Sequence, residues 1–392
     1  MYNKTAYALG ANSCCIRELS EYGAQRAAVV GKENILDFTI GNPSLPTPKA
    51  VTDTIEELLK MDPLDIHSYT PAVGELATRQ AIADDLNRRY GTQITPAELF
   101  IACGASPELA AVFRALAFDG CQILVLAPYF TEYRPFIESA GAEFVAVEPD
   151  VPDFQINLAA VEAAITPATA AIVVNSPNNP AGTVYTEKTL RQLGDLLTRK
   201  AKEYAHPIYI VSDDPYRELT YDGVSAPFIP TIYPDTIVCY SYSKSLSLPG
   251  ERIGYIYVPR QAADSRELYT AICGAARAIG HICAPSLWQK VIARCAHLRP
   301  DLTMYDRNRT LLYQGLTKAG YKVAKPDGAF YLFVEAPGGD SMAFCEKAKA
   351  HDLLVVPGDD FGCSTHFRLC YCVPEEKILR ALPIFKELRG AL

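Results

Sequence analysis

The chain has 392 residues, of which 49% are hydrophobic and 21% charged, and its formal net charge is −8 at pH 7. This composition is typical of a globular protein rather than a disordered or fibrous one, and the length favours two domains. The negative charge removes the long-range attraction that a general nucleic-acid or anionic-membrane binder needs, so neither partner is expected.

Targeting signals and cysteines point to the compartment. No apolar run approaches the roughly 18 residues of a membrane span, and the stretch MYNKTAYALGANSCC lacks a basic segment followed by a hydrophobic core. We therefore expect a cytoplasmic protein. The 12 cysteines are scattered through hydrophobic stretches, without Cys-x-x-Cys pairs or histidines at zinc spacing. They are interpreted as reduced core thiols, with a disulfide framework as the less favoured alternative and no metal site.

From about residue 50 to 260, short apolar and β-branched runs alternate with longer helical patterns, which predicts βαβ units and a mostly parallel sheet. Between the strands, residues 107–118 predict a buried helix and residues 187–204 an amphipathic one. The seven predicted strands are ELFIAC, CQILVLA, EFVAVE, AAIVVN, PIYIVS, TIVCYS and IGYIYV.

The pattern changes after about residue 285. A long helix-like stretch over residues 287–319 is followed by GAFYLFVE, a helix, LLVVP and HFRLCYCV, which predicts a smaller α+β domain. Residues 1–45 contain no complete unit and are expected to pack against this part. The predicted architecture is α/β: a large domain over 46–285 with a seven-stranded, mostly parallel sheet flanked by helices, and a small domain from 1–45 and 286–392.

Polar side chains follow four of the predicted strands. In open parallel sheets, ligands bind beyond the carboxyl ends of the strands, so these side chains are expected to meet at one edge. They are Ser106, which follows Ala105 after ELFIAC, Asn179 after AAIVVN, Asp213 and Tyr216 after PIYIVS, and Ser241 and Lys244 after TIVCYS.

Each of these groups has a purely structural alternative. Ser106 followed by Pro107 is a good helix start, and capping alone would explain it; the functional alternative is a phosphate at the helix N-terminus. The segment NSPNNPAG would form a turn on composition alone. Asp213 could cap a helix, and Lys244 and Arg252 could be surface charges.

The order and spacing of the segments favour the functional alternative. The segment SYSKSLSLPGERIGY, with hydroxyl residues flanking Lys244 and with Arg252 downstream, closely resembles the lysine segment of fold-type I aminotransferases that depend on pyridoxal 5'-phosphate (PLP). The resemblance to this aspartate aminotransferase-like family (class I/II) covers nearly the whole chain. It continues through IGNPSLPTP, SYTPAVG, APYF, NSPNNPAG, SDDPY, PDGAFYLF and FRLCYCV.

The resemblance implies roles for residues around the cofactor. Lys244 would be the Schiff-base lysine, which substrate displaces and which then moves the proton from Cα to C4'. Asp213 would hold the pyridine nitrogen protonated, because a nearby carboxylate favours the charged form and the ring can then withdraw electrons. The other implied cofactor contacts are Asn179 and Tyr216 with the phenolic oxygen, Phe130 stacked on the ring where the family often has Trp, and Ala105, Ser106, Ser241 and Arg252 with the phosphate.

The resemblance also extends to the substrate and the neighbouring subunit. Tyr69 matches a tyrosine that reaches the phosphate of the other subunit, which implies a homodimer. Arg368 would bind the substrate α-carboxylate through two parallel hydrogen bonds, and Asn179 and Gly41 would also contact the substrate. The structural alternative for Arg368 is an ion pair, and for Gly41 it is a turn. Arg277 could bind a second carboxylate or lie on a helix surface.

The implied activity is transamination. An α-amino acid would donate its amino group to a 2-oxo acid by a ping-pong mechanism, with aspartate or an aromatic amino acid as the expected substrate. A cystathionine β-lyase-like C–S lyase shares the cofactor residues and stays open. A non-catalytic PLP-sensing regulator is disfavoured, because residues 1–45 are too few and too weakly basic for a DNA-binding module. The preferred substrates stay open too, since small pocket changes redirect specificity.

Overall fold

The computed structural model describes residues 1–11 and 15–390. The helices are α1 (Lys4–Ala11), α2 (Cys15–Val30), α3 (Lys49–Leu58), α4 (Pro63–His67), α5 (Leu76–Tyr90), α6 (Ala105–Leu116), α7 (Tyr133–Ser139), α8 (Leu158–Ala164), α9 (Glu187–Tyr204), α10 (Tyr242–Ser245), α11 (Ser265–Ala278), α12 (Ser286–Cys295), α13 (Thr303–Lys318), α14 (Ser341–Lys349) and α15 (Glu375–Gly390). The strands are β1 (Leu36–Asp37), β2 (Leu99–Ala102), β3 (Gln122–Leu126), β4 (Glu143–Val147), β5 (Thr169–Asn175), β6 (Tyr209–Asp213), β7 (Thr236–Ser241), β8 (Gly254–Tyr257), β9 (Tyr331–Glu335), β10 (Leu353–Leu354), β11 (Val356–Pro357) and β12 (His366–Cys370). Within the described ranges, no helix is both long and apolar enough to cross a membrane.

Seven strands form one central sheet in the order β2-β8-β7-β6-β5-β3-β4. Neighbours from β7 to β4 run parallel, whereas β8 is antiparallel to both β2 and β7. Every strand except the edge strand β4 is buried along its whole length, as expected for a sheet covered on both faces. The seven predicted strands and the α/β fold are confirmed.

Two helices predicted from sequence pack on opposite faces of this sheet. Helix α6 contributes Val112 and Phe113 to a core shared with α11, while α9 contributes Leu193 and Leu197 to the other core. The predicted amphipathic helix matches α9, and Thr186 caps it by accepting a hydrogen bond from the amide of Thr189. The predicted buried helix is α6, which begins two residues earlier than expected, at Ala105.

The prediction of one long helix over residues 287–319 was wrong. The chain forms α12 and α13 instead, with a break around Pro300. Proline lacks the amide hydrogen that a helix interior requires, and its ring disfavours a helical conformation for the preceding residue. That residue, Arg299, points its guanidinium at Asp85, with Nη2 2.8 Å from Oδ2.

The N-terminal residues pack against the C-terminal part, as expected. Strand β1 pairs in parallel with β10, and Arg26 on α2 forms an ion pair of 2.7 Å with Asp352. A second small sheet, β11-β12-β9, is antiparallel. Helix α12, however, packs on α5, with Val291 and Ile292 in one core with Leu86. The domain boundaries at residues 45 and 285 stay a prediction.

Candidate active site

A cavity of about 280 Å³ lies at the carboxyl edge of the central sheet, between the sheet and strand β12. Because parallel strands end at the same edge, side chains that follow β5, β6 and β7 come together there. Lys244 and Asp213 line this one cavity, so a single ring could lie between them. The predicted residues that line it are Gly41, Ala105, Ser106, Phe130, Asn179, Asp213, Tyr216, Ser241, Lys244, Arg252 and Arg368.

Lys244 lies on the short helix α10, directly after β7. Its ammonium donates to the carbonyl of Gly41 at 2.7 Å and lies 5.4 Å from the centre of the Phe330 ring. Burial lowers the pKa of Lys244, and the positive charges of Arg252 and Arg368 lower it further. A lower pKa increases the fraction of neutral amine near neutral pH, which is the form that attacks an aldehyde.

Asp213 ends β6, and its two carboxylate oxygens differ in their surroundings. Oδ2 accepts a hydrogen bond from the hydroxyl of Tyr133 at 2.5 Å, whereas no donor among the described residues reaches the buried Oδ1. Burial raises the pKa of Asp213 to about 7, against the lowering effect of the Tyr133 hydrogen bond. An unpartnered buried oxygen is costly. A protonated pyridine nitrogen would supply both the missing donor and a compensating charge, so the site fits PLP.

A second part of the cavity is suited to a phosphate. Gly104, at φ +85°, opens α6, and a Cβ atom there would lie 2.8 Å from the Arg252 guanidinium. Arg252 donates to Ser243 Oγ at 3.3 Å, and Ser243 Oγ lies 2.8 Å from Ser241 Oγ. Helix N-termini present free amide groups and a partial positive charge to anions. The start of α6, two hydroxyls and a guanidinium therefore line one part of the cavity and could together bind an anion.

Arg368 lies in the middle of β12 and is 2% exposed. Its guanidinium donates to Asn179 Oδ1 at 2.9 Å and to the carbonyl of Thr39 at 2.5 Å, while Nε has no partner among the described residues. The group lies 4.7 Å from the centre of the Tyr331 ring. A buried cation whose nearest partners are neutral oxygens still lacks a counter-charge, which an anionic ligand could supply.

The hydroxyl of Tyr331 lies beside both Gly41 and Tyr216. A Cβ atom on Gly41 would lie 2.0 Å from this hydroxyl, so any larger residue there would have to displace the Tyr331 ring. The hydroxyls of Tyr216 and Tyr331 are 3.0 Å apart. Tyr331 lies in PDGAFYLF, one of the segments that carry the family resemblance, and it could have been predicted from that segment. Tyr133, by contrast, is brought to Asp213 from 80 residues away and has no local signal.

Other cavity residues were also missed from the sequence. Ser243 and Asn175 line the cavity, and Ile16 and Ile40 extend its apolar wall. Ser243 stands between two residues that were predicted, in the segment SYSK, and could have been included. The position of Ile16 depends on how α2 packs, which no local pattern reveals.

Two predicted residues do not line this cavity. Tyr69 follows α4 and is 89% exposed. Arg277 is exposed in the last turn of α11. Within one chain, the fold therefore separates these two side chains from the residues around Lys244.

A family model of class I and II aminotransferases matches residues 33–384. The chain belongs to this aminotransferase family. It is 32% identical over 367 residues to the aspartate/prephenate aminotransferase of Thermus thermophilus, covering 91% of each chain. It is 28% identical to the aromatic-amino-acid aminotransferase 2 of Thermococcus litoralis, covering 90% of this chain and 91% of that one.

Solved structures agree with this assignment. An aminotransferase from Eubacterium rectale is 50% identical and superposes with a TM-score of 0.98, covering 100% of this chain and 99% of that one. The aspartate aminotransferase of Thermus thermophilus with maleate is 28% identical and superposes with a TM-score of 0.85, covering 99% of both chains. The protein is thus a PLP-dependent aminotransferase. Because these relatives are named as aminotransferases, neither the C–S lyase nor the non-catalytic regulator is favoured.

Proposed function

We propose that this aminotransferase transfers the amino group of aromatic or other large apolar α-amino acids to a 2-oxo acid, in a ping-pong cycle. The observation that carries the proposal is that the apolar side chains of Ile16 and Ile40 line the cavity. A pocket of this kind favours an apolar substrate side chain. The relative from Thermococcus litoralis is named for aromatic amino acids, which supports the same choice.

The charges around the cavity support the same proposal. Lys244, Arg252 and Arg368 are the cationic side chains that line it among the described residues. In the proposed reaction, Lys244 combines with the cofactor aldehyde, Arg252 binds the phosphate, and Arg368 binds the substrate α-carboxylate. No lining cation of the described chain is then left for a second carboxylate, so aspartate would bind poorly to the groups of one subunit alone.

Aspartate is the second candidate, because several relatives are named aspartate aminotransferases. This specificity would require a cation from outside the cavity of one chain. Arg277 is exposed and could enter the neighbouring subunit's cavity in a dimer. The partner subunit's Arg277 would then bind the distal carboxylate as a planar, bidentate donor.

A panel of amino donors with 2-oxoglutarate, measured for wild type and Arg277→Ala, tests both candidates. We expect wild-type kcat/KM to be at least about tenfold higher for phenylalanine or tyrosine than for aspartate, since one well-placed side-chain contact contributes about 1 to 3 kcal/mol. If Arg277 binds the distal carboxylate, as the second candidate requires, Arg277→Ala should lower activity toward aspartate and glutamate about tenfold or more, while activity toward phenylalanine stays within about twofold.

Arg266→Ala is the matched control, because Arg266 is also exposed on α11, in its first turn. It should leave both classes of substrate unchanged. Equal losses for acidic and apolar donors in Arg277→Ala would remove this arginine from side-chain recognition. A wild-type preference for aspartate over all apolar donors would replace the first candidate by the second.

The roles proposed for the chain's residues rest on the family resemblance and on their positions in the cavity. Bound PLP supplies an aldehyde that combines with amines and a protonated ring that withdraws electrons from the substrate Cα. Lys244 would hold the cofactor covalently and, when free, would be the base that takes the proton from Cα. Asp213 would accept a hydrogen bond from the ring nitrogen, and Asn179 and Tyr216 would donate to the phenolic oxygen. Arg368 orients the α-carboxylate by two parallel hydrogen bonds.

Ala105, Ser106, Ser241 and Arg252 are proposed to hold the phosphate, and Ser243 joins them through its hydrogen bond with Arg252. Phe130 is proposed to stack on the ring. Its own ring meets that of Tyr133 edge to face, with centroids 5.6 Å apart, and this contact restrains its orientation. Gly41 is proposed to donate its backbone amide to the α-carboxylate.

We also propose a homodimer, in which a patch of exposed apolar side chains forms the contact. The patch consists of Leu59, Leu64, Tyr69, Leu76 and Ile282, which are 58%, 75%, 89%, 64% and 63% exposed. Its two chain segments are joined by a hydrogen bond from the Ser286 hydroxyl to the Ile66 carbonyl. Exposed apolar side chains on neighbouring segments are common at protein contacts.

Mixing two inactive variants tests whether Tyr69 acts across the dimer. Tyr69→Ala and Lys244→Ala should each be strongly impaired alone. After the subunits exchange, hybrid dimers should recover activity, because one site of each hybrid combines an intact Lys244 with the partner subunit's Tyr69. Turnover of the mixture is the measurement, and random exchange restores about a quarter of the wild-type sites. Absence of recovery despite proven subunit exchange would place Tyr69 in its own subunit's site or outside the site.

A cytoplasmic location completes the proposal. No disulfide joins the cysteines of the described residues, as expected in a reducing compartment. Cell fractionation with a fluorescent-protein fusion would test it.

A further inference from the structure

Two cysteines lie side by side next to the active site, and the proposed mechanism uses neither. Cys370 is the last residue of β12, and Cys372 follows two positions later. Their sulfur atoms are 2.7 Å apart, and the residues are 0% and 5% exposed. Both belong to the core of the C-terminal part, where a single thiol would be an unremarkable small apolar side chain.

The position of the pair connects it to the groups that bind substrate. Cys370 is two residues from Arg368, so both side chains lie on the same face of β12. Cys372 Sγ lies 4.0 Å from the carbonyl of Ile40, and the next carbonyl, that of Gly41, accepts the hydrogen bond from Lys244. The two sulfurs are therefore behind one wall of the active-site cavity.

The electrostatic surroundings favour reactivity at Cys370. Burial raises the pKa of its thiol, but hydrogen bonds from Cys372 and the charges of Arg368 and Lys244 outweigh burial and lower it. A thiolate is the nucleophilic form of cysteine.

The wall between the pair and the cavity is the stretch around Ile40, which has no helix or strand and leaves Ile40 46% exposed. Opening of this stretch would admit a small oxidant.

We propose that Cys370 and Cys372 are an oxidisable dithiol that inactivates this aminotransferase when a peroxide converts it to a disulfide. The Cys370 thiolate attacks one peroxide oxygen and the O–O bond breaks, which leaves a sulfenic acid on Cys370. The departing hydroxide takes up the proton that the thiol lost and leaves as water. The Cys372 thiol then attacks the resulting sulfenic acid, forming the S–S bond and breaking the S–O bond, with release of a second water. The two thiols lose two electrons in total, and the peroxide is reduced to two waters.

The bridge would disturb the strand that carries Arg368. In an extended strand, Cα atoms two residues apart are separated by about 6.6 to 6.8 Å, which is at the upper limit of about 6.8 Å for a disulfide. Closing the bridge therefore bends the backbone at Tyr371, next to the hydrogen bond from the Cys370 amide to the Phe38 carbonyl. A displacement of about 1 Å at a substrate-orienting group can cost about 100-fold in rate.

The test uses the holoenzyme, treated with hydrogen peroxide and then freed of it. Trypsin cleavage after Arg368 and Lys377 releases the peptide LCYCVPEEK, which contains both cysteines and no other. We expect this peptide to become two hydrogens lighter and resistant to alkylation. In the same sample, kcat/KM should fall about tenfold or more and should return after dithiothreitol.

Cys370→Ser and Cys345→Ser are the two variants, each compared with its own untreated sample. Cys370→Ser lacks the attacking thiolate and should keep its activity in peroxide, while Cys345→Ser, which removes another buried thiol of the same core, should respond like wild type. If Cys370→Ser does not fold, Cys372→Ala replaces it: this variant has no second thiol to close the bridge, so dimedone should label the Cys370 sulfenic acid in it and should not label the wild type. The proposal is overturned if the peptide stays fully alkylatable, if the bridge forms without loss of activity, or if Cys370→Ser responds like wild type.

Discussion

Replacing Lys244 by alanine is expected to lower turnover by about 10⁴-fold or more, the largest effect of any single substitution in this aminotransferase. A positioned general base contributes about 10² to 10⁴ in rate, and the lysine is also proposed to hold the cofactor covalently. Its lowered pKa, caused mainly by burial, suits both tasks. The measurements are transaminase turnover and the visible absorbance of lysine-bound PLP, which should both disappear.

Lys377→Ala is the matched control. Burial also lowers the pKa of Lys377, but this lysine is on α15 and does not line the cavity. Its replacement should change neither absorbance nor turnover. The assignment of Lys244 would be untenable if borohydride fixed PLP to a different lysine, or if Lys244→Ala kept the absorbance of the wild type.

Asp213→Asn should lower kcat by about 10² to 10³ while PLP stays covalently bound. Asparagine matches the shape of the carboxylate but cannot carry the negative charge that keeps the ring nitrogen protonated, and removing one preorganised electrostatic partner costs about this much. The unpartnered Oδ1 of Asp213 and its location in the cavity are the observations behind this expectation. Single-turnover kinetics with a good amino donor would separate the chemical step from binding.

Tyr133→Phe serves as the comparison for Asp213→Asn. It removes the hydroxyl that donates to Asp213 Oδ2 but leaves the carboxylate in place. One hydrogen bond to a charged group contributes about 1.5 to 3 kcal/mol, so kcat should fall by roughly tenfold to 100-fold, less than in Asp213→Asn. A wild-type kcat in Asp213→Asn would mean that the ring nitrogen does not depend on this carboxylate.

The strands, the main helices and most of the cavity residues could be predicted from local sequence. Strand β7 and helix α9 can each be predicted from the hydrophobic pattern of their own residues, because that pattern reflects which face of the element is buried. Residues such as Asp213 and Lys244 could be placed together because parallel strands end at one edge of their sheet. The long helix over 287–319 was a mistake that the proline at position 300 should have prevented.

The remaining features depend on contacts between residues far apart in the chain. Arg368 reaches Asn179 across 189 residues, and Tyr133 reaches Asp213 across 80. The same holds for the place of Ile16 in the cavity lining and for the contact between Cys372 and the Ile40 carbonyl. Such contacts follow from how helices and sheets pack on one another, and a pattern along a single segment carries no information about that packing. The sequence, with the family resemblance it carries, was therefore sufficient to name most residues of the cavity, whereas the apolar lining and the position of the dithiol behind it became visible only after the segments were assembled in space.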